Sequence, residues 1–92
     1  MTIDLQTSPK GREDVLFRQL DDEWVIYDPT ADEIHVLNPA AAIVWVHATG
    51  EASVAGIARA LQETFGDQLE ETAARQDTMR AIEQFAAKGL LV

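Results

Sequence analysis

The stretch "IHVLNPAAAIVWVHATG", Ile34–Gly50, decides how this chain folds. It begins with a β-branched, apolar run suited to a pleated strand, and that run stops at Leu37-Asn38-Pro39. Asn38 can accept from free amides as a helix N-cap, Pro39 has the fixed φ of a first helical position, and Gly50 supplies a left-handed residue near the close. Between them Ala41, Val44, Trp45 and Ala48 fall at i, i+3, i+4 and i+7, a single apolar stripe. The stretch is thus a strand turned sharply into a short helix, with Trp45 expected as a core anchor. Ile43 and Val46 lie off the stripe. Extra core packing is the plainer account of them and a partner contact the other.

Upstream, Val15–Leu20 and Trp24–Tyr27 read as strands separated by the acidic turn Asp21-Asp22. "DPTADE", Asp28–Glu33, is a second turn, and Glu33–Leu37 a third strand with Ile34 and Val36 on one face and His35 and Leu37 on the other. Residues 1–14, with the breakers Ser8, Pro9 and Gly11, are expected as a loose N-terminal tail, and residues 15–92 as the domain. Downstream, "SVAGIARALQETFG" reads as a helix capped by Ser53, closed by Gly66 and striped by Val54, Ile57, Ala58, Leu61 and Phe65. A third helix runs from about Glu70 or Thr72 to Lys88, with Thr78, Ile82, Phe85 and Ala86 on one side and Gly89 as its stop. Three strands followed by three helices make an α+β unit.

The 92 residues are 47% hydrophobic and 25% charged, the balance of one small globular domain. A net charge of -9 argues against phosphate backbones and anionic lipid as partners, because both need clustered cations. With no cysteine, disulfide frameworks and thiolate metal sites are excluded. No apolar run approaches the ~20 residues of a spanning helix, and a cytoplasmic protein is expected. His35 and His47 sit on different elements without a paired-histidine spacing, and "DQLEE" lacks the alternating oxygen ligands and glycine of a calcium loop. Glycine-rich phosphate loops and nucleophile elbows are missing, and no carboxylate pair is singled out for proton transfer. The reading therefore assigns no metal, no cofactor and no catalytic residue.

The order of strand, "LN", alanine-rich helical turn, "W" and glycine, then "SVAGIARALQETFG" and a last helix ending "GLL", resembles the PqqD-like family, the RiPP recognition element. Members commonly read LNxTAAxIWxLxDG at this junction. Leu37, Asn38, Ala41, Ala42, Val44, Trp45 and Gly50 match in kind, while Ala40 stands at the usual threonine, His47 at a usual leucine and Thr49 at the usual aspartate. The resemblance spans about Val15 to Val92. It implies a winged-helix-like domain that binds the leader segment of a ribosomally made precursor peptide and presents the peptide to a modifying enzyme. That enzyme could be a radical SAM enzyme or a lasso protease or cyclase. The leader would add as a strand to the third strand, Glu33, Ile34, His35, Val36 and Leu37, and pack on the third helix. A free sheet edge suits this, since unpaired amides and carbonyls give main-chain affinity and neighbouring pockets give selectivity. The turn "DPTADE" departs from the proline-glutamate of pyrroloquinoline quinone members and leaves that pathway unassigned.

On the third helix, spacing at 100° per residue puts Arg75, Met79, Ile82 and Ala86 within about 60° of one another, a cation above an apolar strip. This strip is the expected helical wall, with Arg80 pointing nearly away. Arg75 would meet a leader carboxylate or merely offset Glu70 and Glu71. Two other functions compete: a winged-helix DNA-binding regulator, disfavoured by the few cations among the acids of the third helix, and a docking or oligomerisation subunit of an enzyme complex.

Overall fold

The computed structural model describes residues 3–92. Strands β1 (Leu16–Leu20), β2 (Glu23–Asp28) and β3 (Glu33–Leu37) form an antiparallel sheet in the order β1-β2-β3. Helices α1 (Pro39–His47), α2 (Val54–Phe65) and α3 (Glu71–Ala87) follow, so the α+β order read from the sequence is the observed one. A short 3-10 turn, Gly66–Gln68, joins α2 to α3.

The local chemistry is as expected at the main junctions. The Asn38 side chain accepts from the Ala41 N–H at 2.7 Å with Pro39 opening α1, and Ser53 Oγ accepts from the Gly56 N–H at 3.1 Å at the start of α2. Gly50, at φ 89°, takes the left-handed conformation beyond α1. The helices cover one face of the sheet. There Ile26, Leu37, Val44, Val54, Ile57, Ile82, Phe85 and Leu90 share one core. Trp45 is half-buried at its margin, its ring meeting Phe85 edge-on at 5.3 Å. Val46 is 56% exposed, so the extra-packing account fails for it. With half-buried Ile43 it lines an apolar hollow beside the stacked rings of Phe17 and Trp24.

The first residues depart from expectation. Met1 and Thr2 lie outside the described residues, but residues 3–14 are tied to the domain rather than loose. The Leu5 and Thr7 carbonyls accept from Ala55 and Val54 at the head of α2, where helical amides lack internal partners. The Pro9 carbonyl accepts from Gly50, and Lys10 and Gly11 bridge to Thr49 and Leu91. Ile3 and Leu5 pack on the core. A polar, breaker-rich segment is held here because its backbone satisfies groups that the helices leave open.

Candidate functional site: the free edge of the sheet and the flank of the third helix

The two tight turns determine which backbone groups reach the open edge. Leu20 and Glu23 face one another across Asp21-Asp22, and Asp21 has φ 55°, the positive value that primed hairpin turns take at their first central residue. Such a turn closes on a hydrogen-bonded pair, and pairing alternates along a strand. Glu23, Val25 and Tyr27 therefore point their amides and carbonyls at β1, and Trp24, Ile26 and Asp28 point theirs at β3, opposite Leu37, His35 and Glu33. What remains on β3 is the outward backbone of Ile34 and Val36. Among the described residues, none of the turn, loop or cap hydrogen bonds uses these groups. Ile34 and Val36 are also 63% and 59% exposed, on the sheet face away from the helices, whereas His35 and Leu37 are buried beneath the helices and Glu33 is exposed.

The strand packs chiefly on β2 and α1, and α1 in turn packs on α3. At the Leu37 end, Asn38, Ala40 and Ala41 share a cavity of about 130 Å³ with Asp77, Arg80, Ala81 and Gln84. At the other end, the β2–β3 turn comes close to the C-terminus of α3 through Arg12. Its Nη1 donates to Asp28 Oδ2 at 2.9 Å and to the Gly89 carbonyl at 3.1 Å, and its Nε and Nη2 hold Asp14 at 3.0 and 2.6 Å. Asp28 Oδ1 in turn accepts from Thr30 N at 3.1 Å, capping the turn. These hydrogen bonds from Arg12 hold the carboxyls of Asp14 and Asp28 below the usual carboxylate range and raise Arg12 above its ordinary value. The space between β3 and the second half of α3 is thus bounded at its ends by the head of α1 and by Arg12, and this candidate slot is where a peptide would have to lie to meet both strand and helix.

The strip expected from the sequence is only partly open: Arg75 and Met79 share an open cleft with Gln76, Arg80 and Glu83, so Arg80 stands beside them rather than pointing away. Ile82 is fully buried, and a cleft beside it is lined by Ile3, Pro9 and Leu91, so the N-terminal segment covers this part of the strip. Met79 is half-buried against the core, and Ala86 is exposed. Arg75 lies on the α2 side, in a cleft with Ala58, Arg59 and Gln62, and its Nη2 holds Glu71 Oε1 at 2.7 Å, the bland alternative for that residue. The flank that faces the head of α1, just beyond the end of β3, carries Asp77, Arg80, Ala81 and Gln84, at i, i+3, i+4 and i+7. That spacing was present in the sequence, but it is mostly polar, and a search for an apolar strip passes over it.

These features define a class: a small α+β domain with one unpaired sheet edge set beside a helix. Residues 23–91 match the family described as coenzyme PQQ synthesis protein D (PqqD), and the chain belongs to that family. No curated protein matches it by sequence. Among solved structures it is similar to a lasso peptide synthetase B1 complexed with the leader peptide, at 22% identity and TM-score 0.77, covering 92% of this chain and 98% of that one. It is also similar to TbiB1 in complex with the TbiA(beta) leader peptide, at 18% identity and TM-score 0.73, covering 89% and 93%. Likeness at these identities is likeness of fold.

Proposed function

We propose that this chain is a RiPP recognition element: a non-catalytic domain, resident in the cytoplasm, that binds the leader of a precursor peptide by strand addition and presents it to a peptide-modifying enzyme. The observation that carries the reading is the open backbone of Ile34 and Val36 on an edge strand beside a helical flank, the arrangement that β-augmentation uses. The two similar solved structures are leader-peptide complexes, which supports it. Membership of the PqqD family supports it too. In this reading the leader's main chain pairs with Ile34 and Val36, and its side chains meet Asp77, Arg80, Ala81 and Gln84 rather than the Arg75, Met79, Ile82, Ala86 strip. The DNA-regulator reading has weaker support. Of the cations on α3, Arg75 is paired to Glu71 and Arg80 stands 3.7 Å from Asp77, in a chain of net charge -9. No helix among the described residues is long and apolar enough to cross a membrane.

Proline scanning with a fluorescein-labelled synthetic leader peptide tests the reading. Val36→Pro and Ile34→Pro remove an outward donor without touching the β2–β3 ladder, and each is expected to weaken binding about tenfold or more while the domain stays folded. His35→Pro cuts the ladder itself and should lower stability instead. Unchanged affinity in folded Val36→Pro and Ile34→Pro would remove the strand-addition mode, and a DNA duplex binding in place of the leader would favour the regulator.

A further inference from the structure

The walls of the slot, β3 and α3, are joined chiefly through other segments, and those segments set their separation. At one end the chain itself does so: β3 passes through Asn38 directly into α1, which packs on α3. At the other end, the walls are the β2–β3 turn and the C-terminus of α3, two segments far apart in sequence. Arg12 joins them. Its Nη1 donates both to Asp28, the residue opposite Glu33 at the start of β3, and to the Gly89 carbonyl just beyond α3. Nη2 reaches the second Asp28 oxygen at 3.3 Å, and the Arg12 backbone N–H donates to the Leu90 carbonyl at 2.8 Å. Asp28 is only 3% exposed. A charge held that far from water is tolerated only when paired and hydrogen-bonded, so this contact has one favoured geometry.

We propose that Arg12 is a positioning residue for the leader slot, holding the β2–β3 turn and the end of α3 at the spacing at which one extended peptide reaches both the outward backbone of β3 and the flank of α3. The inference rests on the leader-binding reading. Arginine suits the task because its planar fork carries five donors in fixed directions. A lysine placed there keeps the charge opposite Asp28 but cannot hold Asp14, both Asp28 oxygens and the Gly89 carbonyl together. A slot held open in advance binds more tightly than one the peptide must order, because ordering opposes association.

The absence of cysteine makes the test direct. Spin labels on Ala31→Cys and Lys88→Cys, both exposed positions, report the distance across the slot mouth. In the Arg12→Lys background the distance distribution should broaden relative to the unsubstituted Arg12, and narrow again when labelled leader is added. The same substitution, in protein shown to be folded by circular dichroism, should weaken leader binding about tenfold. Asp28→Asn, which keeps a turn-capping oxygen and loses the charge, should act in the same direction and serves if Arg12→Lys folds poorly. A merely stabilising contact would lower the melting temperature and leave the folded-state distance and affinity unchanged, and that result overturns the proposal. Failure of the unsubstituted protein to bind leader instead overturns the leader-binding reading, with the distance measurement still reporting on the clamp.

Discussion

Gly11 is adjacent to Arg12 and lies directly under the Trp45 ring. A Cβ placed on Gly11 would stand 2.6 Å from Cη2 and 2.9 Å from Cζ3 of that ring, closer than carbon atoms approach. The same ring meets Phe85 edge-on. Trp45 therefore fixes the N-terminal segment on one side and the α3 core on the other, even though it is half-buried rather than enclosed. Gly11→Ala is expected to cost about 1–3 kcal/mol through overpacking, and Trp45→Ala about 3–5 kcal/mol through the lost contacts. The two should not add, because removing the ring frees the space an alanine methyl needs. Urea unfolding of both single variants and the double variant checks this, and full additivity would mean that the ring does not set the glycine.

Among the elements, the joint between β3 and α1 unites fold and site in one residue. Asn38 caps α1 and also lines the cavity shared with α3. Asn38→Ala leaves the Ala41 amide without its side-chain partner and is expected to lower stability by about 1 kcal/mol, whereas Asn38→Asp should keep the cap, since a carboxylate is favoured at a helix N-terminus. Thermal melts of the two variants separate these outcomes. For α3, no such single residue sets the orientation. Its buried positions Ala74, Thr78, Ala81, Ile82 and Phe85 are shared among several neighbours, and which flank remains open depends on what covers the others.

For the molecule as a whole, the Arg12 cluster joins the N-terminal segment, the sheet and the end of α3, and it makes stability depend on pH. Asp14 and Asp28 have folded-state pKa values lowered chiefly by their hydrogen bonds to Arg12. Between the folded and unfolded values the unfolded chain binds more protons, so stability rises with pH there. The contribution is complete above the unfolded carboxylate range, about pH 4, and is lost as pH falls through the lowered values. Arg12→Gln should remove the cause of both shifts and flatten this acid limb. Urea midpoints measured from pH 2 to pH 7 test it, and parallel limbs in the two proteins would contradict the assignment.

The local pattern alone determined the element order, the caps at Asn38 and Ser53, the span of the strand Glu33–Leu37 and the alternation of Ile34 and Val36 against His35 and Leu37. Each of these depends on residues within a few positions of one another, where strand period, helix period and capping chemistry act directly. The tertiary structure decided the rest. Residues 3–14 lack an apolar period, yet they are bound because their carbonyls satisfy amides at the head of α2, a partner no local rule can supply. Their packing beside Ile82 covers part of the strip that helical spacing marked for the peptide, while the polar flank Asp77, Arg80, Ala81 and Gln84 shares a cavity with the head of α1. A helix with several partly apolar faces does not carry in its own sequence which one its neighbours will cover, because burial is settled by all the packed surfaces together.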